Sequence, residues 1–294
     1  MSELRTVPQG VYVLNATLTV PPPLSPGARL HLFGLSCWDV VLSLADAAPG
    51  FGDAARLAPV VDVLPLIGGA GGAAPWISGL NVRSGQTWPQ NVNPNPGALA
   101  LQWRAAAGGG AQDLFLHPNT FPDNYRNVTA RNNTELSLVV RDGGGGVFAD
   151  VWSCNSFSQG GARVADTAER VTFYQLSSEH HAGHELWVSN ASRVRVHGMQ
   201  TEDRSPDAAP TASVLAERGS RVEVTGLFSY YAADVASAAA CVVDASSALD
   251  VAVFRQYHSY HPMFFNCSLL ARGDACVQAV DFARAGSEAA RPAA

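Results

Sequence analysis

Two seven-residue segments limit the fold most strongly. Arg193-Val194-Arg195-Val196-His197-Gly198-Met199 aligns with Arg221-Val222-Glu223-Val224-Thr225-Gly226-Leu227 at an offset of 28 residues (221 − 193). Arg170-Val171-Thr172-Phe173 stands 23 residues earlier (193 − 170), and Leu249 to Phe254 follows about one period later. The segments alternate apolar and polar residues with the period of two that marks a half-buried strand. One such unit cannot bury its apolar face alone, whereas units stacked every 20–30 residues or so bury it against each other. The expected architecture is therefore all-β: a right-handed single-stranded parallel β-helix, a solenoid. A β-sandwich would join neighbouring strands through two-residue turns such as Asn-Gly or Asp-Gly. Only Asp142-Gly143 qualifies.

The same pattern assigns the rest of the chain to one β-helix domain over residues 1–290. N-terminal coils with long loops occupy 1–145 and regular coils 146–290, with a disordered tail at 285–294. Strands are expected at Val11–Leu14, Thr17–Val20, Arg29–Leu35, Ile77–Val82 and Ala98–Trp103, and no helix longer than two or three turns. Pro21-Pro22-Pro23 stops the second of these strands. Hydrophobic residues make up 47% of the chain and charged residues 15%, a composition that folds.

A net charge of −6 counts against a nucleic-acid partner, because phosphate binding needs a basic excess. There is no lysine, and arginine carries every side-chain positive charge. No run of about 20 apolar residues is present, so no membrane span is expected. The segment MSELRTVPQG has no apolar core of the kind a signal peptide carries. The five cysteines lack Cys-x-x-Cys spacing. A Cys267–Cys276 loop closure and free buried thiols are both open readings. Asn-x-Ser/Thr sequons begin at Asn15, Asn127, Asn132, Asn190 and Asn266, which points to a secretory route.

Chemistry concentrates between Ser178 and Asp203. Glu179 and Glu202 are 23 residues apart (202 − 179), close to one coil, so stacking would make them neighbours at the ~4.8 Å strand spacing. Adjacent carboxyls raise each other's pKa, which suits a general acid. Gln200 is read two ways, as a donor to a sugar hydroxyl or as part of an amide ladder inside the coil. His180 and His181 are read as substrate-lining or structural, one of them facing outward beside Glu179. His180 and His184 have helical metal-ligand spacing, but on a strand and loop that spacing does not converge. No metal or cofactor is expected from it. Glu202 is read as the acid, Asp203 as a base or as a surface partner of Arg204, and Glu179 as a proton-relay or base partner of Glu202 or as a partner of Arg193 or Arg195. Trp152 and Tyr230 are candidates for stacking on a pyranose face or for core packing. There is no Gly-x-Ser-x-Gly elbow and no phosphate loop with lysine.

The run from Val147 to Asp203 resembles the second β-helix of glycoside hydrolase family 55, the β-1,3-glucanases. The likeness rests on Glu179-His180-His181 and Gln200-Thr201-Glu202 at family-like spacing. Val7-Pro8-Gln9-Gly10-Val11-Tyr12, Phe51-Gly52-Asp53, Pro96 to Trp103 and Gly226 to Tyr231 resemble further family segments in the same order. The resemblance implies inverting, exo-acting hydrolysis of β-1,3-glucan outside the cell. The family's general acid would correspond to Glu202; the residues themselves add Glu179 as its assistant and Gln200, His180, His181, Asp203, Trp152 and Tyr230 as candidate substrate-lining groups. Family enzymes pack two β-helices side by side, and this chain has length for one. A missing first β-helix, in cis or in trans, is thus an implied partner. The alternative is a catalytically reduced polysaccharide-binding or structural β-helix, or half of a two-helix enzyme.

Overall fold

The computed structural model describes residues 2–22, 29–65, 74–85, 94–118, 136–154, 160–181, 183–203, 212–231, 239–258 and 270–272. The first coils contain β1 (Ser2–Val7), β2 (Gly10–Leu14), β3 (Leu18–Val20), β4 (Arg29–Gly34), β5 (Val40–Leu44) and β6 (Ala58–Val63). The middle holds β7 (Trp76–Arg83), β8 (Ala98–Trp103), β9 (Gly110–His117), β10 (Leu136–Val140), β11 (Gly146–Cys154) and β12 (Gly160–Thr167). Then come β13 (Val171–Glu179), β14 (His184–Ala191), β15 (Val194–Asp203) and β16 (Ala212–Glu217). The last are β17 (Arg221–Tyr231), β18 (Ala239–Asp244), β19 (Ala248–His258) and β20 (Leu270–Arg272).

From β7 onward, successive strands alternate between two sheets, and each pairs in parallel with the strand one coil away. One sheet runs β1-β4-β7-β9-β11-β13-β15-β17-β19, with β2 and β5 joined to it through β7. The other runs β20-β18-β16-β14-β12-β10-β8-β6-β3. Every pairing is parallel, which excludes the sandwich and makes this a parallel β-helix. In the first coils the first sheet is split: β4 meets the front half of β7 and β5 its back half. Among the described residues no helix is long and apolar enough to cross a membrane.

The lumen is one continuous apolar column from Val20 to Val251. Along β15 the inward-facing residues are Val194, Val196, Met199 and the polar Thr201, all at most 2% exposed. The spacing is two, then three, then two. β13 repeats it with Val171, Phe173, Leu176 and Ser178. The extra residue in each strand is left-handed: Gln175 (φ 58°) in β13 and Gly198 (φ 76°) in β15. Asp150 (φ 50°) and Gly226 (φ 79°) hold the same place in β11 and β17. Register stacks these positions, since Tyr174 pairs with His197 and Leu176 with Met199. A single left-handed residue shifts the face alternation by one, much as a bulge does. Without that shift Glu202 would share the face of Val196 and point into the core. With it, Glu179 and Glu202 belong to the outer wall.

Candidate functional site

Cys154, Glu179 and Glu202 stand in consecutive coils of one column on the outer wall, at the ends of β11, β13 and β15. Tyr230 and Tyr257 continue that column in register. Parallel pairing places Glu179 directly beside Glu202, as the 23-residue interval predicts. Glu179 is 7% exposed, and the Glu202 side chain is 16% exposed. Burial pushes the Glu179 carboxyl above its ordinary range; the His180 ring and the Trp152 indole oppose this, while Glu202 and Glu185 add to it.

Gln200 is exposed on the wall and donates from Nε2 to Glu179 Oε1 at 3.0 Å. Its place outside the coil overturns the internal amide ladder. Arg195 pairs instead with Glu223 at 2.7 Å, so it is not the partner of Glu179. His180, left-handed at φ 67°, donates its backbone N–H to the Glu202 carbonyl at 2.7 Å. Its ring bridges two neighbours: Nδ1 lies 3.2 Å from Cys154 Sγ, and Nε2 lies 3.3 Å from Glu202 Oε1.

His181 turns the other way. It is 1% exposed inside the coil, with Nε2 2.9 Å from Ser153 Oγ and Nδ1 in a short contact with Glu185 Oε2. Ser178 also donates to that carboxylate, at 2.8 Å. This internal network cannot touch a ligand on the wall, so the substrate-lining reading of His181 is corrected: it is a structural residue. Gly161 accommodates the network, because a Cβ there would collide with Ser178 Oγ and approach the His181 ring to 2.8 Å.

Trp152 lies on the outer wall in the neighbouring column, paired with Phe115 and Ser177. Its ring stacks on Phe115 at 4.4 Å and meets the edge of Trp38 at 6.1 Å. Trp38 is 67% exposed, and with its neighbours it forms an aromatic face beside the carboxyl pair. Asp203 and Tyr230 are placed by register alone, opposite Tyr231 and Glu202. The sequence reading missed Cys154, Trp38, Phe115 and Glu185. Cys154 was within reach: it precedes Glu179 by 25 residues (179 − 154), about one coil. Trp38 comes from the split early coils, where no repeat signals its position.

The sequons at Asn127, Asn132 and Asn266, the tail at 285–294, and Cys267 and Cys276 lie outside the described residues. Asn190 is left-handed (φ 52°) and exposed, with its amide bonded to Asp166 at 2.8 Å. Among the described residues Cys37, Cys154 and Cys241 are buried and stand outside any disulfide.

No protein-family model matches the chain, and no curated protein does. Among solved structures it is similar to ORF18 of Geobacillus virus E2, with 11% identity and a TM-score of 0.45 over 92% of this chain and 53% of that one. It is also similar to pectin methylesterase PemA from Erwinia chrysanthemi, with 12% identity and a TM-score of 0.37 over 92% of this chain and 83% of that one. The chain thus spans about half the length of the viral protein. At this distance neither likeness carries a functional argument, and the fold rests on the strand pairing of the chain itself.

Proposed function

We propose that this is a carbohydrate-active β-helix protein that hydrolyses β-1,3-glucan, with Glu202 as general acid and Glu179 as its proton-relay partner. The observation that carries the reading is the carboxyl pair in register on the outer wall, beside an aromatic face. Of the two, Glu202 is the more open, so it is the one a glycosidic oxygen reaches. Glu179 is more buried, and burial raises its carboxyl above the ordinary range, which suits a group that resupplies its neighbour. An inverting acid and base stand roughly 6.5–9.5 Å apart around a water. Backbones on adjacent strands are about 4.8 Å apart, so the pair suits acid and relay better than acid and base.

Glucose release from laminarin by the wild type and by Glu202→Gln tests the proposal. The substitution keeps shape but removes the transferable proton, and the expected loss is about 10²–10⁴-fold. Equal activity in both proteins overturns the assignment. A second reading is favoured by the 67% exposure of Trp38 over Phe115 and Trp152: a glucan-binding wall without hydrolysis. Laminarin retention by a wild type that releases no sugar, abolished in Trp38→Ala, would select it.

A further inference from the structure

The cluster around His180 has a second chemistry that general acid catalysis does not use. Cys154 Sγ, a Glu179 carboxylate oxygen and a His180 ring nitrogen all lie within 4.8 Å of one another, and all three residues are buried. We propose that Cys154, Glu179 and His180 form a binding site for a divalent transition metal, zinc foremost, on the outer wall of the β-helix. The donors come from two strand ends in register and the left-handed residue that follows one of them, so the backbone already converges them. It is a different set from the His180–His184 spacing.

Bond lengths fit. Zinc–sulfur bonds of about 2.3 Å and zinc–nitrogen bonds of about 2.0 Å, at a tetrahedral angle, leave roughly 3.5 Å between the two donors. Cys154 Sγ and His180 Nδ1 stand 3.2 Å apart, so small side-chain adjustments admit an ion. The supporting groups fit too. A ligating histidine characteristically donates its other ring N–H to a carboxylate, and Glu202 Oε1 lies 3.3 Å from Nε2. The Glu179 carboxylate is in turn held by the Gln200 amide.

Charge points the same way. A thiol and two carboxyls surround one imidazole in a largely buried niche, a set of donors that become anionic on losing their protons and so suit a divalent cation. The mixed sulfur, nitrogen and oxygen set selects zinc or cobalt over calcium and magnesium, which take oxygen donors. Three protein donors are one short of a closed structural zinc site and leave a position for water. Binding a metal would release the thiol and carboxyl protons and occupy Glu179. Metal binding and the proposed proton relay therefore exclude one another.

The test is direct binding to the folded full chain, stripped with chelator and titrated with Co²⁺. One equivalent should bring up a thiolate-to-cobalt charge-transfer absorption in the near ultraviolet, which Zn²⁺ then displaces. Cys154→Ser should abolish the absorption and weaken zinc binding at least tenfold. Gln200→Ala, outside the donor set, should weaken it about tenfold. In the wild type, Zn²⁺ should also slow alkylation of Cys154 read by peptide mass spectrometry, a readout that needs no variant to fold. No stoichiometric cobalt absorption, or zinc affinity unchanged in Cys154→Ser, overturns the site. These readouts do not involve laminarin, so failure here and failure of the hydrolase reading are told apart.

Discussion

His117 ends β9 at 3% exposure, its ring stacked 4.2 Å from Phe115 and its backbone in register with Arg83. Burial, reinforced by the Arg83 charge, lowers its pKa from 6.5 to about 3. In the unfolded chain the same ring protonates near its ordinary value, so folding favours the neutral form. The contribution is complete above about pH 6.5 and is lost progressively as pH falls toward about 3. At pH 5 the unfolded chain holds that proton and the native state does not, which costs about 2 kcal/mol. Urea unfolding at pH 7 and pH 5 checks it: His117→Gln should lose about 2 kcal/mol less than the wild type over that interval. Equal losses would show that another group dominates acid destabilisation. The opposite fate of two adjacent residues, His180 and His181, belongs to this scale as well. They are consecutive histidines after Glu179, yet the left-handed φ of His180 sends one ring to the wall and the other into the lumen.

The stacked left-handed residue is the device that decides which side chains each strand shows outward. Glycine occupies it without strain in β15 and β17, whereas β13 places Gln175 there at φ 58°. A side chain in that conformation costs roughly 1–2 kcal/mol. Substitutions of opposite sense should therefore have opposite signs. Gly198→Ala should destabilise by about 1–2 kcal/mol, its Cβ meeting the Gln175 side chain at 3.1 Å. Gln175→Gly should be stabilising, or nearly neutral once its own packing is lost. Chemical denaturation of the two variants decides; the same sign for both would remove left-handed strain as the governing term. This device also explains what was legible in the sequence. The repeated Arg-Val-x-Val-x-Gly pattern showed both the strand and its break, so the Glu179–Glu202 neighbourhood followed from one interval of 23 residues. Where Asp150 or Gln175 stands in place of glycine, the break leaves no mark. The inward turn of Ser153 and Ser178 was hidden for that reason, since strict alternation gives the wrong face beyond it.

At the scale of the whole molecule, each coil packs only against the next, even though the apolar column is continuous. Within it, Trp103 meets Phe148 edge-on at 5.4 Å, and Phe148 stacks on Phe173 at 5.3 Å. These three rings couple β8, β11 and β13, with Phe148 and Phe173 near the starts of the two strands whose far ends carry Cys154 and Glu179. In a solenoid, stability is close to a sum of coil energies and nearest-neighbour interfaces, so a cavity is felt most by the coils that touch it. Phe148→Ala should cost about 3–5 kcal/mol. Amide hydrogen exchange followed by mass spectrometry locates that cost. Protection should fall first in β9, β11 and β13, which pair with one another around residue 148. It should persist in β5, where Val40 to Leu44 lie three coils away against β2 and β7. Loosening Phe148 should also disturb Glu179 and Cys154, since both end strands anchored at that ring stack. An equal fall along all coils would instead make the β-helix one cooperative unit, with the outer-wall site no weaker locally than the stack as a whole.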